Sequence, residues 1–205
     1  MFGKLFAKQA APVKKDIVVV SGLPRSGTSM MMKMLEAGGL AVVSDAMRTA
    51  DRDNPNGYYE LEAVKQMSAG QTAWLREAGG KAVKVISALL EFLPADYHYK
   101  VIFMERAMEE VLASQQKMLA NRQEQGGAGD VQMREEFEKH LAAAKYWLPR
   151  QPNIEVLYVD YNRMMADPGT SCRRVAAFLG MEMDEEKMRG VPDGKLYRNR
   201  AGRAL

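Results

Sequence analysis

The chain has 205 residues, of which 47% are hydrophobic and 27% are charged, and its formal net charge is +3. This composition is typical of a globular protein with one α/β domain, and so small a net charge does not by itself indicate nucleic-acid binding. No apolar stretch approaches the roughly 20 residues that cross a bilayer. The chain has a single cysteine, Cys172, which excludes an internal disulfide and favours a reducing, cytoplasmic location.

The chain begins with MFGKLFAKQAAPVKK, which contains basic residues but lacks the apolar core of about 7–15 residues that defines a signal peptide. We interpret residues 1–15 as a mobile tail and residues 16–205 as one domain. Weak attachment of this basic tail to a membrane surface remains an alternative.

Four runs rich in apolar, mostly β-branched residues predict the strands of a sheet. They are IVVV at 17–20, KAVKVI at 81–86, YKVIFM at 99–104 and IEVLYV at 154–159. Because these runs are nearly continuous, the sheet is expected to be buried on both faces and therefore parallel. Helical patterns lie between the strands, so the predicted fold is a single three-layer α/β domain with a central, mainly parallel sheet flanked by helices.

Helices are predicted at 29–37, 58–78, 108–119 and 130–148, and another extends from 168 to a stop at Gly180. The last helix begins with a proline, a favoured first-turn residue, and Cys172 lies in its apolar stripe. That position indicates that the cysteine fills the core. A glycine-rich loop is expected at about 125–130.

The first strand leads into GLPRSGTS at 22–29, a glycine-bounded loop that is followed by a helix start. The glycines let backbone amides turn toward an anion, and the positive end of the helix adds to the attraction. Thr28 and Ser29 add hydroxyl donors, and Arg25 has forked donors that suit phosphate or sulfate oxygens. The sequence therefore predicts an anion site in this loop, at the carboxyl ends of the strands.

The loop differs from that of nucleoside triphosphatases, which place a lysine after the second glycine, where this chain has Thr28. No predicted strand ends in the aspartate that would help to hold magnesium, since the third continues as VIFMER. A magnesium-dependent kinase or GTPase is therefore disfavoured, and no metal site is predicted. A kinase-like protein that binds nucleotide or phosphate is kept as an alternative function.

Three segments resemble those of sulfotransferases that use 3′-phosphoadenosine 5′-phosphosulfate (PAPS). PRSGTS after the first strand resembles the family's loop for the 5′-phosphosulfate, and VIFMERAMEEVLAS has Arg106 after a strand and Ser114 eight residues later. VLYVDYNRMMADP is similar to a third element, a strand followed by Tyr161 and a DP turn. The resemblance extends from about residue 16 to residue 200 and implies a P-loop NTPase-like fold.

The resemblance implies PAPS as the sulfuryl donor, 3′,5′-ADP as the product, and no required metal. The 5′-phosphosulfate would be held by the loop, and the 3′-phosphate by Arg106 and Ser114. The implied nucleotide-binding residues are Pro24, Arg25, Ser26, Gly27, Thr28, Ser29, Arg106, Ser114 and Tyr161. The glycine-rich ending typical of cytosolic members is not found in this chain, and Lys195, Arg198 and Arg200 are expected to take its place at the 3′-phosphate. From the residues alone, Ser114 could equally be a small side chain tolerated in the core. The basic segment that contains Lys195, Arg198 and Arg200 could equally be a solvated tail.

The implied catalytic residues are Arg25, which would stabilise the leaving oxygen, Lys84, which would face the sulfate, and a carboxylate base. Asp45, shortly after LAVV, is the first choice for the base, and Glu60, in DRDNPNGYYE, is the second. A capping or turn role for Asp45 and an exposed position on an edge strand for Lys84 are alternatives. We interpret both histidines, His98 and His140, as structural or solvated.

The acceptor is expected to be a hydroxyl or amine of a small molecule, lipid, sugar or peptide. Its pocket is expected around 45–75 and the glycine-rich loop, where Tyr58 and Tyr59 offer aromatic faces. A non-catalytic protein that binds 3′,5′-ADP is a further alternative, since it would keep Arg25 and Arg106 but need no base.

Overall fold

The computed structural model describes residues 15–45, 57–121 and 130–194. Its strands are β1 (Ile17–Gly22), β2 (Val42–Val43), β3 (Ala82–Lys84), β4 (Tyr99–Glu105) and β5 (Ile154–Asp160). They form one five-stranded sheet in the order β2-β3-β1-β4-β5, and every pair of neighbours is parallel. The predicted α/β fold with a central parallel sheet is therefore confirmed.

Helices cover both faces of the sheet. They are α1 (Thr28–Ala37), α2 (Glu62–Lys65), α3 (Met108–Asn121), α4 (Asp130–Trp147), α5 (Tyr161–Ala166), α6 (Pro168–Leu179) and α7 (Glu185–Arg189), with 3₁₀ helices at Met67–Ala69, Ala73–Glu77, Ser87–Phe92 and Leu148–Arg150. Over the three described ranges, no helix has the length and apolar character that would let it cross a membrane.

The prediction of one long helix at 58–78 is wrong. Tyr59 (φ 50°) and Gly70 (φ 78°) have left-handed backbone conformations, which an α-helix cannot contain. The segment instead forms α2 and two short 3₁₀ helices. The other predicted helices are present, and Gly180 ends α6 with φ 68° as expected.

Alternating side chains of the strands divide the core into two layers. Val18, Val20 and Ile102 pack with α1 and α6 on one face, where Cys172 is fully buried. The opposite face of β1 and β4 packs against α4 and the 3₁₀ helix that follows α2. Both faces are thus covered, as predicted for a parallel sheet, and the loops at the carboxyl ends of the strands meet at one edge.

Several predicted features lie outside the described residues. These are the N-terminal tail apart from Lys15, most of the glycine-rich loop, and the basic segment that includes Lys195, Arg198 and Arg200. The division into a tail and one domain therefore stays a prediction.

Lys100 lies in the interior strand β4 and interacts with the C-terminal end of α6. Its Nζ donates to the carbonyl oxygens of Phe178 and Leu179 at 3.0 and 3.2 Å. A cation at this position satisfies carbonyls that have no partner within the helix and complements the negative end of the helix macrodipole. Lys100 thus holds α6 against the sheet.

Lys100→Met is expected to lower the free energy of unfolding by about 1–2 kcal/mol, because hydrogen bonds from a charged donor are lost while the hydrophobic volume is retained. Urea denaturation measures this difference. Lys139→Met, the same change at an exposed position of α4, should leave the midpoint nearly unchanged. Equal midpoints for the two variants would contradict the capping role of Lys100.

Candidate functional site

The glycine-bounded loop connects β1 to α1 and lies close to β4 and α5. A Cβ on Gly22 would lie 2.6 Å from the carbonyl oxygen of Met104, and a Cβ on Gly27 would lie 2.4 Å from Cδ2 of Tyr161. Both glycines also have positive φ, 145° and 100°. Ser26 closes the turn by donating its hydroxyl to the carbonyl of Leu23 at 2.7 Å. Only glycine therefore permits this loop to lie so near the neighbouring elements.

Arg25, at the centre of the loop, is held in a left-handed conformation with φ 68°. Its Nε donates to Ser114 Oγ on α3 at 2.9 Å, and its carbonyl accepts from Arg106 Nη1 at 3.0 Å. Such a conformation costs a non-glycine residue about 1–3 kcal/mol and persists where surrounding contacts determine it. The structure thus brings together three residues that sequence motifs predicted separately, from the loop, the end of β4, and α3.

Arg106 is fixed by further contacts. Its Nε donates to Glu110 Oε2 at 2.9 Å, and its guanidinium carbon lies 4.3 Å from the centroid of the Tyr161 ring. Burial raises the pKa of the Tyr161 hydroxyl. Glu110 also accepts from Asn162 Nδ2 at 2.8 Å.

Sequence analysis missed Glu110 and Asn162. Glu110 follows Arg106 by four residues, a spacing that places two side chains on one face of a helix, and this signal was available. Asn162 gave no signal, because its partners Glu110 and Ala107 lie more than 50 residues away in sequence.

Lys84 lies on β3, between β2 and β1, so the alternative of an edge-strand lysine is wrong. Its Nζ donates to the carbonyl of Tyr58 at 3.0 Å and to Ser29 Oγ at 3.4 Å. Glu60 Oε1 lies 3.7 Å from the same Nζ. The structure thus places a lysine and a carboxylate beside the first turn of α1.

Asp45 has a different environment. Its Oδ2 accepts from the backbone N–H of Glu62, the first residue of α2, at 2.6 Å, and its own N–H donates to the carbonyl of Glu60 at 3.3 Å. Although the N-cap residue of α2 is Leu61, the Asp45 carboxylate satisfies a free N–H of the first turn from outside the helix, in keeping with the capping alternative. The role of Asp45 as a base is untested by this geometry and stays a prediction.

The remaining predicted residues differ in their burial and in their hydrogen-bond partners. Pro24 is exposed, whereas Thr28 is buried at the start of α1. Tyr59 donates its hydroxyl to Glu36 on α1, and both burial and this hydrogen bond raise its pKa. His140 Nε2 lies 2.8 Å from Ser87 Oγ, in keeping with a structural histidine.

These features define an α/β protein with a candidate anion site: a glycine loop between a parallel strand and a helix, next to two arginines and a lysine. Within the part of the chain that is described, no group of three or more His, Cys, Asp or Glu side chains is placed to hold a metal ion.

The chain belongs to the sulfotransferase family, because the family model for the sulfotransferase domain matches residues 15–193. The predicted family is therefore confirmed. A search of curated proteins gave no significant match.

Solved structures of sulfotransferases share the fold. Mouse sulfotransferase SULT7A1 complexed with PAP is 17% identical, with a TM-score of 0.59 over 94% of this chain and 69% of that chain. Sulfotransferase STF1 from Mycobacterium tuberculosis is 17% identical, with a TM-score of 0.54 over 93% and 77%. The sulfotransferase domain of the Synechococcus PCC 7002 olefin synthase is 16% identical, with a TM-score of 0.51 over 94% and 86%. At such identities the likeness shows the fold.

Proposed function

We propose that this protein transfers a sulfuryl group from PAPS to a hydroxyl or amine of an acceptor and releases 3′,5′-ADP. Family membership supports the reaction. The observation that carries the proposal is the direct contact between the two predicted anion sites: Arg25 of the loop bonds to Ser114, and Arg106 bonds to the carbonyl of Arg25. A donor with phosphate groups on both the 3′ and the 5′ position of one ribose requires two such sites side by side.

The residues present fit the two anionic ends of the donor. The loop at 22–29 offers backbone amides, the hydroxyls of its last two residues and the Arg25 guanidinium for the 5′-phosphosulfate. Arg106 and Ser114, with the Tyr161 ring beside them, are proposed to hold the 3′-phosphate. Lys195, Arg198 and Arg200 remain proposed contacts from outside the described residues.

Sulfuryl transfer forms a bond from the acceptor oxygen or nitrogen to sulfur and breaks the bond from sulfur to the bridging oxygen. Arg25 and Lys84 are proposed to stabilise the negative charge that develops on the sulfuryl and bridging oxygens. Electrostatics and orientation dominate such a reaction, because the protein forms no covalent bond to the transferred group.

We propose Glu60, and not Asp45, as the base that takes the acceptor proton. Glu60 lies 3.7 Å from Lys84 Nζ and is 30% exposed, so its carboxylate is accessible next to a cation of the proposed site. The Asp45 carboxylate accepts a backbone hydrogen bond at the start of α2 instead. This assignment reverses the order that the sequence suggested.

We also propose that the acceptor is a small molecule, lipid, sugar or peptide and that the protein acts in the cytoplasm. A single buried, unpaired cysteine, Cys172, supports a reducing compartment. We further propose that residues 16–205 form one domain after a tail at 1–15, which is supported by a family match that begins at residue 15.

Thermal-shift and calorimetric titrations with 3′,5′-ADP, 5′-AMP, and ATP with magnesium test the function. We expect 3′,5′-ADP to raise the melting temperature most. Arg106→Ala should weaken 3′,5′-ADP binding by about 10- to 100-fold, since a charge-assisted hydrogen bond contributes about 1.5–3 kcal/mol. Binding of 5′-AMP, which lacks the 3′-phosphate, should change by less than about threefold.

Arg134→Ala is the matched control, because Arg134 pairs with Glu109 and Glu138 at the surface. It should leave the affinity for both nucleotides unchanged. Stabilisation by ATP with magnesium and none by 3′,5′-ADP would overturn the sulfotransferase proposal. Equal losses for 3′,5′-ADP and 5′-AMP in Arg106→Ala would overturn the role of Arg106.

A further inference from the structure

A buried carboxylate lies directly behind the proposed 3′-phosphate site. The side chain of Glu110 is only 1% exposed, and that of Arg106 is 8% exposed. Glu110 accepts through both oxygens, from Arg106 Nε at 2.9 Å and from Asn162 Nδ2 at 2.8 Å. A charge taken out of water is costly unless it is paired and hydrogen-bonded, and both conditions are met here.

Asn162 connects this carboxylate to the backbone of a second element. It follows Tyr161 at the start of α5, and its Oδ1 accepts from the backbone N–H of Ala107 at 3.4 Å. The two ends of the amide therefore have opposite roles, since the nitrogen donates to Glu110 and the oxygen accepts from the residue before α3. This division fixes which way the amide faces.

The cluster restricts the Arg106 guanidinium from three directions. Glu110 on α3 binds Nε, the carbonyl of Arg25 binds Nη1, and the Tyr161 ring lies against the guanidinium face. A planar guanidinium with bonds to Nε and Nη1 and a ring on one face has a defined plane as well as a defined position.

Stability alone does not account well for such a cluster, because a buried ion pair can often be replaced by apolar residues without loss of stability. Glu110 and Asn162 fix the orientation of the Arg106 guanidinium, which a pair of apolar side chains could not do. Bidentate recognition of a phosphate depends on the plane of the guanidinium, so an error in this plane weakens phosphate binding.

We propose that Glu110 and Asn162 are positioning residues that set the plane of Arg106 for the 3′-phosphate of the nucleotide. Neither residue contacts the nucleotide in this proposal. The inference rests on the proposed function and extends it, because the preference for a 3′-phosphorylated nucleotide depends on residues behind the binding surface.

Glu110→Gln tests the proposal. Arg106 and Asn162 donate to different oxygens of Glu110, and the new amide has an NH₂ group in place of one of them. With its oxygen toward Arg106, its NH₂ group faces the NH₂ group of Asn162, so one of the two hydrogen bonds is lost. We expect calorimetry to show a loss of affinity for 3′,5′-ADP of at least about tenfold, with 5′-AMP affinity within about threefold of wild type. Asn162→Ala keeps the bond between Arg106 and Glu110 and should give a smaller loss with the same selectivity.

The double variant Glu110→Gln/Asn162→Asp is the matched control. It exchanges the amide and the carboxylate, so the new glutamine can accept from Arg106 and donate to the new aspartate, which still accepts from the N–H of Ala107. We expect 3′,5′-ADP affinity to return to within about threefold of wild type.

Three results would overturn the proposal: equal losses for both nucleotides in Glu110→Gln, unchanged 3′,5′-ADP affinity in that variant, or no recovery in the double variant. Equal losses would assign the cluster a purely structural role. If Glu110→Gln does not fold, the selectivity of Asn162→Ala and the recovery in the double variant decide the question. Absence of 3′,5′-ADP binding to the wild-type protein would instead overturn the proposed function, and this proposal with it.

Discussion

Gly27→Ala is expected to weaken binding of 3′,5′-ADP by at least about 100-fold. The added Cβ would lie 2.4 Å from Cδ2 and 2.9 Å from Cε2 of Tyr161. The ring cannot easily retreat, because it is buried and the Arg106 guanidinium lies 4.3 Å from its centroid. The substitution therefore displaces the loop, the Tyr161 ring and Arg106, the proposed ligand of the 3′-phosphate, together.

Gly39→Ala provides a matched control for this prediction. Gly39 has φ 96°, close to the φ 100° of Gly27, but a Cβ there meets nothing within 4 Å. Both variants therefore carry a similar backbone strain of about 1–2 kcal/mol, and only Gly27→Ala adds a steric clash in the site. Melting temperatures and titration calorimetry separate the two effects. A Gly27→Ala protein that binds 3′,5′-ADP within tenfold of wild type would contradict the proposed role of the loop.

Glu60→Gln is expected to lower kcat by about 10²- to 10⁴-fold, the usual contribution of a general base. The glutamine keeps the size of the side chain but cannot take a proton from the acceptor. Affinity for 3′,5′-ADP should stay within about threefold, because the Glu60 carboxylate lies beside Lys84 in the proposed site and is not one of the proposed nucleotide ligands. Transfer of labelled sulfate from PAPS to a panel of simple phenols, alcohols and amines measures turnover.

Asp45→Asn is the control for the base assignment. The side-chain oxygen of asparagine can also accept from the N–H of Glu62, so this bond is retained and kcat should change by less than about threefold. The opposite order, with a large loss in Asp45→Asn and a small one in Glu60→Gln, would show that Asp45 is the base and that the carboxylate beside Lys84 is structural.

Local chain patterns predicted most of the fold. The strands at 17–20 and 99–104 were evident from apolar runs, because a strand buried on both faces needs apolar side chains at nearly every position. The run at 154–159 was also recognised, although it forms an edge strand that is only partly buried. The segment at 58–78 was misread, since the periodicity of apolar residues contains no information about the left-handed conformations of Tyr59 and Gly70.

The sequence by itself determined the family, the glycine loop and the positions of Arg25, Arg106 and Ser114, because each of these is a local motif of fixed spacing. Only the tertiary structure decided how the site is supported. It placed Lys84 on an interior strand beside Glu60, gave Asp45 a capping contact, and set Glu110 and Asn162 behind Arg106. Most of these contacts join residues that are far apart along the chain, so local spacing cannot specify them, and they form only when parallel strands bring their carboxyl ends to one edge of the sheet.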